Sequence, residues 1–528
     1  MSRPRILVSD PLAEDGIKRL SEVAEVTVKT KLSEDDLVAL IPGFEALVVR
    51  SETKVTERVL AAGLQLKVIG RAGVGIDNID VASATQRGVL VVNAPRGNII
   101  AAAEHAIALL FAVARNVPQA DASVHRGEWQ RSKYTGVEIR GKTLGIVGLG
   151  NIGSEVAKRA QGLEMDVIAY DPAVAPERAE QFNVALVGLE ELFQRSDFVS
   201  VHAPLVEGTR NLIGAEVLKL ARPNLRLVNA ARGGIVDEDA LADALREGRL
   251  AAAASDVFLH EPLGESPLLE LPNFIATPHI AASTVEAQKS VASDVAEEVI
   301  AVLGGGAPRY AVNAPALAPE EMAFVRPFAV LAERMADMHV QLHGGRVSSL
   351  ELTFEGELAS HDLSPATAAA LKGILQRFTE DRVTPVNARL VAAQRSLRLT
   401  ERKSPTVSAG GYPNSITLNA DGREIAGSVL WGEPRITRIG PFHFDFSPLG
   451  RFLVSRHRDR PGVVAHISGI LGARDVNIAS MQLGRDAPRG GAMMFVAVDD
   501  VVDAAALAEL RAFEGLEELS FIELGADG

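Results

Sequence analysis

The 528-residue chain contains no cysteine, and only 5% of its residues are aromatic. The missing thiols exclude disulfide bonds, thiolate catalysis and cysteine-ligated metal sites, and they fit a cytoplasmic protein. The chain also lacks an excess of basic residues. Its formal net charge of −14 argues against nucleic acid as a partner, because phosphate binding needs cations. We therefore expect a cytoplasmic protein of ordinary globular composition, with no metal site.

Long apolar runs are nearly absent as well. The N-terminal residues lead directly into a predicted strand, with no apolar leader before it. Residues 101–117 are apolar enough to suggest a membrane segment, but they include Glu104, His105 and Arg115 and are too short to span comfortably. We expect one buried inter-domain helix over about 98–117, with His105 as an internally hydrogen-bonded core histidine, and no membrane partner.

The most informative segment is a glycine-rich turn between a predicted strand, 144–147, and a predicted helix. Gly148 permits a tight turn, Gly150 lets the backbone approach a pyrophosphate, and Gly153 lets helix and strand pack closely. The amino end of the helix can then bind phosphate groups. Asp171 follows the next predicted strand, 18 residues past Gly153, where its carboxylate would accept hydrogen bonds from a ribose and repel a 2′-phosphate. The pattern predicts a βαβ unit that binds NAD rather than NADP.

The chain length and the order of strands and helices predict four domains. Two are doubly wound α/β domains with parallel sheets, one flavodoxin-like and one of the Rossmann type. A helix over 281–303 is expected after the second sheet. It is followed by an α+β domain with a hairpin signal at the turn 419–422 and by a ferredoxin-like β-α-β-β-α-β domain. The predicted boundaries are 1–97 with 284–315 for the first domain, 98–283 for the second, 316–448 for the third and 449–528 for the fourth.

Three polar residues near the end of the second domain fit the interconversion of an alcohol and a ketone. Arg232 follows a strand and precedes two glycines, and its planar guanidinium suits a carboxylate and an adjacent carbonyl oxygen. His279 suits general acid/base work because the pKa of histidine lies near neutrality, and Glu261 could fix its tautomer. Each has an ordinary alternative: a surface arginine, a helix-capping histidine and a solvated loop acid. His260 adjoins Glu261 but is expected to face elsewhere.

These segments resemble the NAD-dependent D-2-hydroxyacid dehydrogenase family. The resemblance rests on GLGNIG at 148–153, NAARGGIVDEDAL from 229, DVFLHEP from 256 and TPHIAAST from 277. It implies that Arg232 anchors the substrate, that His279 is the general acid/base and that Glu261 is its acid partner. It also implies a wider set of cofactor-binding residues, namely Asn151, Ile152, His202, Pro204, Thr209, Ala230 and Asp256.

Other segments resemble one branch of this family, the D-3-phosphoglycerate dehydrogenases. They are VRSETKVT from 49, RAGVGIDNID from 71 and GEWQRSK from 127. A phosphorylated substrate needs cations in an otherwise acidic protein, and Arg50 is the first candidate. The resemblance adds Arg131 and Lys133, which could reach the site of a neighbouring subunit or form only a solvated basic face. The substrate-binding set predicted from the resemblance is completed by Ser51, Gly73, Val74 and Gly75.

The last two domains resemble the intervening domain and the ACT domain of the long phosphoglycerate dehydrogenases. ACT domains often bind amino acids between paired copies, which implies a homo-oligomer, expected to be a tetramer, and L-serine as a possible effector. Asp459 could receive the ammonium group and Asn477 the carboxylate or amine, with His457 beside them. A structural ACT domain without a ligand is the alternative.

The function expected from this resemblance is the NAD-dependent oxidation of 3-phospho-D-glycerate to 3-phosphohydroxypyruvate, the entry to serine biosynthesis. Two alternatives stay open at this point. One is another D-2-hydroxyacid dehydrogenase, and the other is a non-catalytic amino-acid sensor.

Overall fold

The computed structural model describes residues 3–315, 317–380, 382–407 and 411–525. The predicted ranges of the third and fourth domains include residues 316, 381, 408–410 and 526–528, which lie outside the described part. The chain divides into two compact units. One comprises Met1–Leu12, Ile17–Asn93 and Val295–Gly528, and the other comprises Ala13–Gly16 and Ala94–Asp294.

The first sheet has five short parallel strands, β1 (Arg5–Val8), β2 (Glu25–Val28), β3 (Ala46–Val49), β4 (Val68–Arg71) and β5 (Leu90–Asn93). The helices between them are α1 (Glu14–Val23), α2 (Glu34–Leu40), α3 (Glu57–Ala62) and α4 (Val81–Gln86), with a 3-10 turn at Ile41–Gly43. The strand order β2-β1-β3-β4-β5 is that of flavodoxin-like folds. The fold class predicted for this part is confirmed.

Two helices, α5 (Ile99–Arg115) and α6 (Val117–His125), lead into the second sheet. The sequence predicted one helix over 98–117. The helix ends instead at Asn116, which adopts a left-handed conformation (φ 54°), and α6 begins with Pro118 in its first turn. Within the described residues, no single helix is long and apolar enough to cross a membrane. The pair α5 and α6 meets that test only together, with a bend of 65° between them.

The second sheet has seven parallel strands, β6 (Thr143–Val147), β7 (Asp166–Tyr170), β8 (Ala185–Leu186), β9 (Phe198–Val201), β10 (Arg226–Asn229), β11 (Ala252–Ser255) and β12 (Phe274–Ala276). The helices are α7 (Asn151–Gly162), α8 (Pro176–Glu180), α9 (Leu189–Arg195), α10 (Ala215–Lys219) and α11 (Glu238–Arg246), with 3-10 turns at Arg131–Tyr134 and Glu207–Thr209. The order β12-β11-β10-β9-β6-β7-β8 is the Rossmann order with one further edge strand. The central strands are buried on both faces, which explains why their sequences are mostly apolar, with buried Ser200 and Ser255 as exceptions.

Helix α12 (Val285–Leu303) follows the second sheet. Its second half packs on the first sheet, where a Cβ built on Gly70 would lie 2.6 Å from Val299 and 2.8 Å from Val295. The sequence predicted a helix from residue 281. Residues 281–284 instead form turns, in which Ser283 N donates to the carbonyl of Ile280 and Thr284 N to that of Ala282.

The third sheet is mixed and has six strands, β13 (Ser349–Gly356), β14 (Arg398–Ser404), β15 (Asn414–Ala420), β16 (Arg423–Leu430), β17 (Glu433–Ile439) and β18 (Phe442–Phe446). Its helices are α13 (Pro319–His343), α14 (Ser364–Leu375) and α15 (Ala388–Gln394), with a 3-10 turn at Glu357–Ser360. The strand order is β14-β13-β15-β16-β17-β18. The side chains of β13 alternate between half-buried and buried, as a strand with one covered face requires. The predicted hairpin turn at Asp421 and Gly422 is present, since Ala420 pairs with Arg423.

The C-terminal sheet has four antiparallel strands, β19 (Gly450–Arg458), β20 (Ile478–Arg485), β21 (Gly491–Val498) and β22 (Leu516–Leu524). Two helices, α16 (Val463–Ala473) and α17 (Ala504–Arg511), connect them. The order β20-β21-β19-β22 confirms the predicted ferredoxin-like fold.

Candidate active site

The glycine turn after β6 has two tight contacts and one open position. Gly148 has a φ of +95°, and a Cβ on it would lie 2.7 Å from Ala203 N. A Cβ on Gly153 would lie 2.1 Å from the carbonyl oxygen of Gly148, so helix α7 and the turn touch at backbone distance. Around Gly150, by contrast, no described atom lies within 4 Å of a Cβ position. The turn therefore leaves free space at the amino end of α7.

This free space fits the pyrophosphate of a dinucleotide. Gly150 is the N-cap of α7 and makes no side-chain capping bond, so the amino end of the helix is open to an anion together with Asn151 and Ile152. Asp171 lies at the end of β7, where its carboxylate accepts from Leu149 N and Ala173 N, both at 2.9 Å. The carboxylate thus sits beside the glycine turn, the position expected of a ribose ligand.

His202 and Thr209 organise the segment after β9. His202 N donates to the carbonyl of Val147, and its Nε2 lies 2.8 Å from the Ser200 hydroxyl. Burial lowers the pKa of His202 to about 4, so the ring is neutral at physiological pH. The Thr209 hydroxyl donates to the carbonyl of Pro204 at 2.6 Å and closes the loop. This loop borders the glycine turn on the side of Val147.

Arg232 lies in the loop after β10, two residues past Ala230. The buried side chain of Asn229 shapes this loop, because it accepts from Ala231 N and donates to the carbonyl of Arg232, both at 3.1 Å. A Cβ on the next residue, Gly233, would lie 1.9 Å from the carbonyl oxygen of Phe258. The Arg232 loop therefore packs directly on the loop that carries Glu261.

Glu261 and His279 form the pair predicted from the sequence. Glu261 Oε2 lies 2.6 Å from His279 Nδ1, and Glu261 Oε1 accepts from Phe258 N at 2.9 Å. The backbone contact fixes the carboxylate, and the carboxylate fixes the imidazole with Nδ1 toward it. The His279 side chain is 46% exposed, so its other nitrogen is available to a substrate. The pair has the geometry of a general acid/base with an orienting acid.

Asp256, predicted as a cofactor-binding residue, is fully buried. Its carboxylate accepts from the Thr277 hydroxyl at 2.6 Å, from Ile280 N at 2.9 Å and from Ala281 N at 2.8 Å. Burial alone would raise the pKa of Asp256, but hydrogen bonds from His105, Thr277 and these two amides hold it below its ordinary value. The carboxylate is therefore charged and engaged with its own turn. Its predicted contact with a cofactor stays a prediction.

The predicted substrate residues of the first sheet lie at the carboxyl ends of its strands. Arg50 and Ser51 follow β3, and the segment 73–75 follows β4. Buried Asp10 holds the Arg50 loop, since its carboxylate accepts from Arg50 N at 2.5 Å and from the Thr53 hydroxyl at 2.5 Å. Asn78 donates to the carbonyls of Arg50 and Thr53, both at 2.7 Å. Asp10 and Asn78 escaped the sequence prediction because their role depends on contacts between distant segments.

Arg71 is a further cation that the prediction left out. It pairs in register with Val49, the residue before Arg50, so both arginines lie at the same edge of adjacent parallel strands. Its guanidinium lies across Gly73, where a Cβ would meet it at 1.5 Å. The signal available in the sequence was a basic residue at the carboxyl end of a predicted strand.

Arg131 and Lys133 lie on the exposed 3-10 turn Arg131–Tyr134, beside Trp129, which is 80% exposed. Lys133 Nζ lies 5.7 Å from the centre of the Tyr134 ring. Their predicted reach to a neighbouring subunit stays a prediction.

The three predicted effector residues of the C-terminal sheet differ in accessibility. Asp459 accepts from Arg489 N and from the Arg485 guanidinium, both at 3.1 Å, and these contacts hold the pKa of its carboxyl below the ordinary value. The amide of exposed Asn477 donates to Asp499. His457 is only 2% exposed and packs beside Ser455. The predicted contact of His457 with an effector stays a prediction.

Comparison with known proteins adds to this geometry. Residues 107–281 match the family model of the D-isomer specific 2-hydroxyacid dehydrogenase NAD-binding domain. Residues 324–440 match the D-3-phosphoglycerate dehydrogenase intervening domain, and residues 451–515 match the ACT domain.

Relatives match along nearly the whole chain. D-3-phosphoglycerate dehydrogenase from Synechocystis sp. is 45% identical, with 98% of this chain and 95% of the relative covered. The enzyme of the same name from Archaeoglobus fulgidus is 43% identical, with 98% and 100% covered. The chain belongs to the D-3-phosphoglycerate dehydrogenase family. The predicted family, enzyme class and NAD cofactor are thereby confirmed.

Solved structures also resemble this chain over part of its length. D-lactate dehydrogenase from Aquifex aeolicus, complexed with NAD and lactic acid, matches with a TM-score of 0.51 and 28% identity, covering 57% of this chain and 96% of that one. The chain is an NAD-dependent oxidoreductase with two further domains beyond this shared part.

Proposed function

We propose that the chain oxidises the C2 hydroxyl of 3-phospho-D-glycerate to give 3-phosphohydroxypyruvate, the first step of serine biosynthesis. The observation that carries the proposal is the 2.6 Å contact between Glu261 and His279. It supplies an oriented acid/base in a chain whose full-length relatives bear the name of this activity.

The reaction is divided between NAD and the pair formed by Glu261 and His279. NAD, when bound, supplies the hydride acceptor. His279 takes the hydroxyl proton on Nε2, because its Nδ1 is held by Glu261. The negative charge of Glu261 stabilises the imidazolium that results, and the Phe258 amide keeps the carboxylate in place. In the reverse direction His279 returns the proton to the carbonyl oxygen.

Substrate recognition is assigned to cations at strand ends. Arg232 would hold the carboxylate and the C2 oxygen with its planar fork. Arg50 and Arg71 share one sheet edge, which supports a phosphate site there, and Ser51 and the 73–75 backbone would add donors. Arg131 and Lys133 are proposed to serve the site of a neighbouring subunit.

The C-terminal domains suggest regulation. The ACT match supports a ligand-binding regulatory site, and we propose L-serine as its effector with Asp459 and Asn477 as contacts. We further propose that the chain forms a homotetramer through paired ACT domains. The cytoplasmic location and the four domain boundaries remain predictions.

The test is an NADH consumption assay on the purified full-length chain. We expect kcat/KM for 3-phosphohydroxypyruvate to exceed that for hydroxypyruvate by about 100-fold, because charge-assisted contacts to a phosphate are worth a few kcal/mol. Serine added to the same assay should lower the rate, and Asn477→Ala should blunt that effect without changing the uninhibited rate. His279→Asn should abolish turnover while the Kd for NADH stays unchanged.

Each contrary result has a definite meaning. Equal rates with both substrates would leave the hydride chemistry and remove phosphoglycerate as the substrate. Unchanged turnover in His279→Asn would refute the assigned acid/base. A wild-type chain that binds serine but turns over neither substrate would be a sensor.

A further inference from the structure

His105 is a polar residue on the apolar helix α5. The inward positions around it are alanines and leucines, and the imidazole itself is only 18% exposed. Its Nε2 lies 3.2 Å from the Thr277 hydroxyl oxygen and 3.3 Å from Asp256 Oδ1. The proposed reaction gives His105 no task, although it contacts the turn that carries His279.

The hydrogen bonds around His105 show which of its ring nitrogens carries a hydrogen. The Thr277 hydroxyl has one proton, and its 2.6 Å contact with Asp256 Oδ1 shows that this proton points to the carboxylate. Thr277 can then only accept from the imidazole, and Asp256 is an acceptor in any case. Nε2 of His105 must therefore carry a hydrogen, which it shares between the two oxygens.

Asp256 in turn restrains the backbone at His279 and at the two residues that follow it. Its backbone carbonyl accepts from His279 N at 2.9 Å, and its carboxylate accepts from the amides of Ile280 and Ala281. His279 needs such restraint because its φ of 53° is a left-handed conformation that non-glycine residues rarely adopt. Loss of the His105 donor would leave the carboxylate with the Thr277 hydroxyl and the two amides as donors, and it would weaken the hold of Asp256 on the turn.

We propose that His105 is a positioning residue, which acts through Thr277 and Asp256 to hold the left-handed turn that presents His279 to Glu261. The inference rests on the proposed function, because it assigns His105 an effect on the reaction that His279 performs. It differs from the core role expected from the sequence, in which His105 would contribute only to stability.

The test compares two replacements of His105 in the full-length chain. His105→Gln keeps an N–H donor, whereas His105→Leu keeps apolar volume and removes the donor. We expect His105→Leu to lower kcat about 10- to 100-fold, since small misplacements of a catalytic group have effects of this size. The KM for 3-phosphohydroxypyruvate and the Kd for NADH should stay within about twofold, because His105 itself is not among the residues assigned to substrate or cofactor. His105→Gln should recover most of kcat.

Thr277 provides a second pair if His105→Leu does not fold. Thr277→Ser keeps the hydroxyl and should retain kcat, and Thr277→Val should lose it to the same extent as His105→Leu. Two results would overturn the proposal. One is an equal kcat in His105→Leu and His105→Gln. The other is a fall in the kcat of His105→Leu that is accompanied by a comparable loss of NADH affinity and by a lower unfolding midpoint. An inactive wild type would instead remove the proposed function and this inference with it.

Discussion

At the scale of single residues, one glycine at each end of α7 has open space around the position of a Cβ atom. Only one of the two lies where a cofactor would approach. Gly150 is at the amino end of the helix and Gly162 is its last residue, and no described atom lies within 4 Å of a Cβ on either. Eleven residues lie between them, so the two positions are about 18 Å apart along the helix. The pair therefore separates the effect of a methyl group on folding from its effect on binding.

Gly150→Ala should weaken NADH binding at least about tenfold without destabilising the fold. Its φ of −73° is open to alanine, so the new methyl group meets no protein atom and blocks only the space at the helix end. The Kd for NADH, followed by fluorescence, and the thermal unfolding midpoint measure the two effects. In the matched control, Gly162→Ala, NADH binding should be unchanged and stability should rise by about 0.5–1 kcal/mol. Equal affinities in both variants would refute the pyrophosphate assignment of Gly150.

At the scale of the element, the sequence predicted most strands and helices because their signals are local. Unbroken apolar runs marked the buried parallel strands, and the glycine turn with Asp171 marked the βαβ unit. The start of α12 was predicted four residues early. Nothing in the local sequence shows that Ile280 and Ala281 donate to Asp256, which keeps residues 281–284 out of the helix.

The same limit applies to the site. Residue chemistry suggested Arg232, Glu261 and His279 but left an ordinary alternative for each, and the resemblance to the dehydrogenase family then favoured the catalytic interpretation. The supporting contacts of Asp10 and His105 join segments that are 40 and 172 residues apart in the chain. Such contacts depend on tertiary packing, so no local pattern could predict them.

Helix α13 carries a buried histidine that makes the stability of its domain depend on pH. His339 is 3% exposed, and its Nδ1 has no hydrogen-bond partner among the described residues. Its ring meets His343 edge-on at 4.9 Å. Burial, His343 and Arg423 lower the pKa of His339 to about 4, while Asp421 acts in the opposite direction.

The free energy of unfolding should therefore fall as the pH drops from about 6.5 to about 4, because in this range His339 binds a proton in the unfolded chain but not in the folded chain. The shift corresponds to at most about 3 kcal/mol. His339→Leu should lose the share of this dependence that His339 contributes, whereas the share of His202, whose pKa is also lowered to about 4, should remain. Urea midpoints at pH 7.5 and pH 5 measure it, with His125→Gln as the control because His125 is 78% exposed. A His339→Leu variant that retains the full wild-type difference between the two pH values would contradict the assignment.

At the scale of the molecule, the unit that holds the first sheet also contains the intervening and ACT domains, and one short segment joins them to that sheet. Arg382 donates to the carbonyl of Leu66 at 2.6 Å, and buried Asn387 donates to the carbonyl of Gln86 at 3.1 Å. These carbonyls lie just before β4 and β5, the strands that end at Arg71 and Asn93. The segment 382–387 thus contacts the amino ends of the strands whose carboxyl ends are assigned to substrate.

Gly88 is the position where this junction can be loosened selectively. Its φ is +67°, and a Cβ on it would lie 2.6 Å from the Thr384 hydroxyl oxygen, which donates to the Gly88 carbonyl. Gly141 has nearly the same φ, +66°, with no described atom within 4 Å of a Cβ. An alanine in the left-handed conformation costs about 1 kcal/mol at either site, but only at position 88 does its methyl group also displace Thr384. Gly88→Ala should therefore speed amide hydrogen exchange over residues 382–391 at least about tenfold, whereas Gly141→Ala should leave that segment unchanged. Equal exchange in the two variants would mean that the contacts of Arg382 and Asn387 hold the domains together without Thr384.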